Sequence, residues 1–187
     1  WIAPIFLIRF MRDSKWGPAV IIGLLVLHIA IFVAMIPTMY MMDASTVKMT
    51  PAFLLRMQAR SGMLFVALLY LVPFLVDKAL HKHLPTFAAS LVYPSAVVAV
   101  DLLISITIGL MGSFGESQFA FRPLVMTVSL FGVFGLTFLF AWFASTINAL
   151  WEANWDIKKL GYSGLVYLLI AMSLFTYGGI AVAFHQE

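Results

Sequence analysis

The side chain whose position most suggests chemistry is Asp101, an acid within the apolar stretch 85–110. A charged group at the centre of a membrane costs about 2.5–3.5 kcal/mol on insertion scales, so such residues face protein or water and often carry protons or ions. Helical spacing places Ser105 next to it. The two residues could belong to a proton relay or a cation site, or Asp101 could bind a basic group of another subunit. The alternative is a hydrogen bond that only joins two helices.

Asn148 is a further polar candidate within an apolar stretch. It ends a series of small and polar residues at the spacing of one helix face, formed by Thr137, Ala141, Ala144, Ser145 and Asn148. The amide could contact a ligand near the inner face of the membrane. Close packing of helices, which small residues permit, explains the same pattern without a ligand.

His28 is the only histidine within a predicted span, and Met35 and Met39 follow it on the same helical stripe. The imidazole could be an axial ligand of haem or of another pigment. Histidine together with methionine would also suit Cu(I), because thioethers favour soft metal ions. The alternative is a histidine that hydrogen-bonds across a helix interface beside methionines that only pack. The sequence does not decide which metal or cofactor, if any, is bound.

A charged cluster closes the second predicted span and consists of Asp77, Lys78, His81, Lys82 and His83. Asp77 and His81 are four residues apart, a spacing that suits a hydrogen bond or two metal ligands. Basic residues that set topology and contact anionic lipid explain the cluster more simply. The chain has no cysteine, which excludes thiol chemistry.

The elements that must position these residues are membrane helices. Hydrophobic residues make up 63% of the chain and charged residues only 10%, whereas soluble domains have about 25% charged residues. Continuous apolar stretches indicate helices, since barrel strands would alternate. We predict an all-α polytopic bundle with an interfacial segment at 1–17 and one membrane domain at 18–187. Each span has about the 20 residues needed to cross a bilayer, and the five spans are 19–42, 61–80, 86–110, 124–150 and 163–184.

Two of these helices are expected to extend beyond the bilayer. The second should begin at Pro51, because proline suits the first helical position. The fourth should continue past Leu150 and end at Gly161, since glycine commonly follows a helix end.

The basic residues predict an orientation. Seven of the 11 lysines and arginines lie on the N-terminal side of the five spans, so the positive-inside rule predicts a cytoplasmic N-terminus and a C-terminus on the opposite side. The net charge of +3 is therefore explained by topology, and no nucleic-acid partner is expected.

No catalytic constellation is recognisable, which favours a protein that is not an enzyme. Very short loops and an apolar surface indicate a multi-pass subunit that contacts lipids and packs with other subunits in a larger membrane complex. One alternative is an electron-transfer subunit that holds haem or pigment through His28. The other is a small ion or proton-coupled carrier that uses Asp101.

Overall fold

The computed structural model describes residues 2–43, 50, 62–108, 121–156, 158 and 162–184, without the side chains of 35–43 and 108. Six α-helices form the described part of the chain, together with a short 3-10 turn at His81–His83. The helices are α1 (Ala3–Asp13), α2 (Trp16–Asp43), α3 (Met63–Leu80), α4 (Thr86–Ile108), α5 (Arg122–Glu152) and α6 (Tyr162–Phe184). The prediction of an all-α bundle is confirmed.

Five of these helices are long and apolar enough to cross a membrane, as the sequence predicts. The qualifying segments are Trp16–Ala34, Met63–His83, Thr86–Thr107, Arg122–Glu152 and Tyr162–Phe184. Proline opens α5 in its first turn, where a missing N–H costs nothing. The fold is compatible with an integral multi-pass membrane protein.

Contacts divide the chain into two compact units, Trp1–Asp13 with Pro73–Glu187 (unit 1) and Ser14–Val72 (unit 2). Unit 2 contains α2 and the first part of α3. In unit 1, α5 is the central helix and packs against α1, α4 and α6. The division of the sequence into segments 1–17 and 18–187 stays a prediction.

Helix α1 forms most of the segment that the sequence predicts to be interfacial. Ile5, Ile8 and Met11 recur at helical spacing and are buried. The amide of Asn148 on α5 donates to the backbone carbonyl of Ile5 at 2.9 Å. The segment is therefore an amphipathic helix whose apolar side packs on protein.

Two features of α5 differ from the expected uninterrupted helix. It ends at Glu152, so the prediction that it continues to Gly161 is wrong. Asn154 and Trp155 have φ values of 54° and 62°, in the left-handed region that a helix cannot include. Within the helix, Gly132 has φ 68° and ψ 179°, which interrupts the helical backbone. The predicted start of the second helix at Pro51 lies outside the described residues.

Candidate functional site

A buried ion-paired group lies at one end of unit 1 and consists of Arg12, Asp77 and Glu152, here called the Arg12 cluster. Arg12 Nε is 2.8 Å from Asp77 Oδ2, and Nη2 is 2.8 Å from Oδ1. This is the two-pronged geometry that a planar guanidinium gives with a carboxylate. The side chains of Arg12 and Asp77 are 5% and 1% exposed. The third member, Glu152, accepts from Arg12 Nη1 at 3.2 Å and is 38% exposed.

The Arg12 cluster keeps its arginine charged despite burial. Burial lowers the pKa of Arg12, but the hydrogen bonds and negative charges of Asp77 and Glu152 outweigh that effect and raise it above the ordinary value. A raised pKa means that the arginine stabilises the fold at every pH below its ordinary value, and that this stabilisation is lost only as pH rises further. Removing one partner of such a pair leaves the other buried and uncompensated.

Further contacts connect α1 to the same end of α5. Arg9 Nε pairs with Asp13 Oδ2 at 2.8 Å, and Arg9 Nη1 lies 3.6 Å from Glu152 Oε1. The Arg9 guanidinium also lies over the ring of Trp151, 5.9 Å from its centroid. The ammonium of Lys78 donates to the backbone carbonyl of Met11. One end of unit 1 thus brings together α1, the end of α3 and the end of α5. This is expected because successive spans alternate in direction.

A polar cavity of about 120 Å³ adjoins the Arg12 cluster. Its lining combines both charged groups with hydroxyls, an imidazole and small apolar residues: Arg12, His81, Leu84, Thr86, Ala89, Ser90, Ser145, Ala149 and Glu152. The Ser90 hydroxyl donates to the carbonyl of Phe87 at 2.7 Å and accepts from Trp142 Nε1 at 3.1 Å. The Ser145 hydroxyl is buried and has no hydrogen-bond partner in the described part of the chain.

The ring of His81, which lines this cavity, also contacts the backbone one turn earlier. Its Nδ1 lies 2.9 Å from the backbone carbonyl of Asp77. Because a carbonyl only accepts, Nδ1 carries the proton and Nε2 of the neutral ring is an acceptor. The predicted contact between Asp77 and His81 therefore exists through the backbone, while the Asp77 carboxylate binds Arg12.

Asp101 lies elsewhere in unit 1, between α4 and α5. It is 2% exposed, and its Oδ2 accepts a hydrogen bond from Thr137 Oγ1 at 3.1 Å. Ser105 follows one turn later on α4 and is half-buried. The acid is thus within protein, as its cost in lipid requires.

Asn148 does not share the surroundings of Asp101. Eleven residues separate it from Thr137 on α5, which corresponds to about 16 Å along the helix axis. It is fully buried, and Nδ2 donates to the carbonyls of Ile5 and Ala144 at 2.9 and 3.1 Å. The structure places Asn148 against α1, whereas Asp101 and Ser105 lie about one turn apart on α4.

His28 is half-buried on α2, in unit 2. Met35 and Met39 lie on the same helix, and their side chains are outside the described part of the structure. Within the described residues, no group of three or more His, Cys, Asp or Glu side chains could hold a metal ion. A haem, pigment or copper ion at His28, and a pairing of His28 with Asp101, stay predictions.

The sequence did not indicate the Arg12 cluster. Its partners are separated by 65 and 140 positions along the chain, so no local pattern connects them. One signal was available, because Arg12 follows Met11 on the amphipathic helix that begins with Ile5 and Ile8. A basic residue beside the apolar face of α1 must find an acid when that face is buried.

Comparison of the chain with protein-family models, with characterised proteins and with solved structures found no match.

Proposed function

We propose that this protein is a non-catalytic, multi-pass subunit that packs within a larger membrane protein complex. The observation that carries the proposal is the interruption of α5 at Gly132. This residue is exposed, and the flanking Leu130 and Phe131 are 48% and 65% exposed. The interruption therefore faces outward from the described part of unit 1.

The depth of Gly132 makes an outward interruption costly in lipid. Ten residues separate it from Arg122, or about 15 Å of helix, which is half the thickness of the hydrocarbon layer. Non-helical backbone at that depth is tolerated where protein or a water-filled cavity covers it. The neighbouring Leu130 and Phe131 are apolar, so the occupant that fits is a transmembrane helix of another subunit.

The exposed surface of α6 suits the same kind of partner. Ser173 and Thr176 each donate to a carbonyl of their own helix at 2.8 Å, so neither hydroxyl needs an outside acceptor. A Cβ added to Gly179 would meet nothing within 4 Å. Small residues with satisfied polar groups let a second helix approach closely.

The proposed orientation keeps α1 and the Arg12 cluster on the cytoplasmic side, where the excess of lysine and arginine belongs. The chain has no natural cysteine, so single cysteines can report on it. Ile2→Cys and Phe184→Cys replace residues that are 66% and 76% exposed near opposite ends of the chain. An impermeant thiol reagent added outside intact cells should label only the second, and the reverse pattern would contradict the orientation.

Photocrosslinking in the intact native membrane tests the partner. A photoreactive amino acid at Phe131 should give a discrete protein adduct, because a partner helix covers the interruption. The matched control is the same amino acid at Ile106, which is 75% exposed on an uninterrupted part of α4. That position should give mainly lipid adducts. Lipid adducts alone at both positions would contradict the proposal.

A second candidate function is a small ion or proton-coupled carrier, and the surroundings of Asp101 favour it. Thr137, which binds this acid, lies five residues after the interruption at Gly132. Carriers often use interrupted helices near a binding site in the middle of the membrane. Transport by reconstituted vesicles should then be lost in Asp101→Asn and retained in Asp13→Asn, an exposed carboxylate outside the spans. Transport unaffected by Asp101→Asn would remove this candidate.

A further inference from the structure

The cavity beside the Arg12 cluster is lined by a buried hydroxyl, that of Ser145, to which no described residue hydrogen-bonds. Ser145 is buried, and its hydroxyl makes no bond to its own helix, unlike those of Ser173 and Thr176 on α6. A buried hydroxyl without a partner is costly, so the Ser145 hydroxyl favours a hydrogen-bonding group inside the cavity. Ser90, on the facing helix, already uses its proton and accepts a bond.

The charged side chains that line the cavity are Arg12 and Glu152. At this end of unit 1, Arg9, Arg12 and Lys78 balance the carboxylates of Asp13, Asp77 and Glu152. Both arginines contact the same oxygen of Glu152, Oε1. Glu152 lines the cavity, and no described residue binds its second oxygen, Oε2. The arginine that lines the cavity, Arg12, is meanwhile neutralised by its two bonds to Asp77.

Two further groups of the lining are able to accept a hydrogen bond. Nε2 is an acceptor in the neutral form of the His81 ring, because Nδ1 faces a carbonyl, and the Ser145 hydroxyl can accept as well as donate. A volume of about 120 Å³ corresponds to roughly four waters at about 30 Å³ each, enough for a small polar head and too little for a hydrocarbon chain. A primary ammonium brings three N–H donors to such a lining. The Glu152 carboxylate would repel an anion, and a quaternary ammonium has no N–H group to donate.

We propose that this cavity binds a primary ammonium group through Glu152, Ser145 and His81. The group is carried either by the headgroup of an aminophospholipid or by a small soluble amine. The cavity lies beside the amphipathic helix α1, at the ends of α3 and α5, where lipid headgroups would surround a membrane-inserted bundle.

Native mass spectrometry of the purified full chain tests this proposal. Phosphatidylethanolamine should bind about tenfold tighter than phosphatidylcholine with the same acyl chains, the effect of about one charge-assisted hydrogen bond. The preference should disappear in Glu152→Gln and weaken in Ser145→Ala. The control Asp13→Asn removes an acid at the same end without lining the cavity, and it should keep the preference.

One further variant and one further binding measurement separate the remaining explanations. Ala89→Leu fills the cavity without touching an ion pair and should abolish the preference even if Glu152→Gln disturbs the Arg12 cluster. Direct binding of free ethanolamine distinguishes the two carriers: binding that Glu152→Gln abolishes indicates a soluble amine, and no detectable binding beside a preference for phosphatidylethanolamine indicates the headgroup. Equal binding of the two lipids by the unaltered chain would overturn the proposal. A preference that survives both Glu152→Gln and Ala89→Leu would also overturn it.

Discussion

Two acids in unit 1 are almost equally buried and are held in different ways. Asp77, at the end of α3, is 1% exposed and receives two hydrogen bonds from the guanidinium of Arg12. Asp101, within α4, is 2% exposed and accepts a hydrogen bond from the hydroxyl of Thr137. The first acid is bound to a full positive charge and the second to a neutral hydroxyl.

The difference separates an acid that a charged group holds from an acid that has a neutral hydroxyl among its partners. The bond between Asp77 and Arg12 connects helices that are distant in sequence, and both groups depend on it because neither reaches water. The bond between Asp101 and Thr137 connects consecutive helices and leaves the charge of the acid unmatched by that partner. Burial alone therefore does not identify a functional acid, since the charge of the bonded partner matters as much.

The largest expected effect comes from removing the charge that holds Asp77. Arg12→Met keeps much of the side-chain volume but leaves Asp77 buried without its guanidinium. Such losses cost about 3–5 kcal/mol of folding free energy. Thermal unfolding of the purified protein in one detergent should show a correspondingly lower midpoint for Arg12→Met.

The double variant Arg12→Met with Asp77→Leu separates charge from packing. Replacing both partners of a buried pair by apolar residues is often neutral or stabilising, so the second change should recover most of the loss. Arg9→Met is the matched control, because Arg9 pairs at a more exposed position. A double variant no more stable than Arg12→Met would contradict the account of Asp77.

The sequence was sufficient to predict the helical spans, but it did not predict which charged residues form pairs. Apolar stretches of spanning length predicted α2 to α6, because hydrophobic length alone selects membrane helices. The end of α5 was misplaced by nine residues. Asn154 tolerates the left-handed backbone that it adopts, but Trp155 gives no such local signal, and the glycine at 161 was the stronger one. The interruption at Gly132 was equally hidden, because a glycine also fits a regular helix.

The candidate site was predicted in part. Asp101 stands out from its apolar surroundings, so composition alone identified it, and Ser105 follows it by helical spacing. The surroundings of Asn148 depend on tertiary packing that no spacing rule supplies, and the structure places that amide against Ile5. The Arg12 cluster could not be predicted, because its members come from three separate helices.

A smaller effect is expected at the second acid. Thr137→Val removes the hydroxyl that binds Asp101 while nearly preserving side-chain shape. Hydrogen bonds between membrane helices are worth about 0.6 kcal/mol on average and at most about 1.7 kcal/mol. The loss of folding free energy, measured by the same unfolding assay, should fall in this range and well below that of Arg12→Met. Asp101→Asn keeps an acceptor oxygen and should cost no more than Thr137→Val.

The comparison of the two acids would fail if Thr137→Val or Asp101→Asn destabilised the protein as much as Arg12→Met. That result would mean that Asp101 is also held by a charge on which the fold depends. A carrier role adds a separate expectation, because Asp101→Asn would then remove transport from a protein that remains folded.

The smallest effect should come from Asp13, which tests whether burial or the ion pair itself makes Asp77 structural. Asp13 pairs with Arg9 at 2.8 Å, the same separation as in the Arg12 pair, but its side chain is 58% exposed. Exposed pairs contribute about 0.2–1 kcal/mol, and 1 M salt, with a screening length of about 3 Å, weakens them further. Asp13→Asn should therefore lower stability slightly in dilute buffer and leave it unchanged at 1 M salt, whereas the Arg12→Met penalty should persist at both. A salt-independent loss for Asp13→Asn as large as that of Arg12→Met would show that pairing distance, and not burial, determines the contribution of these acids.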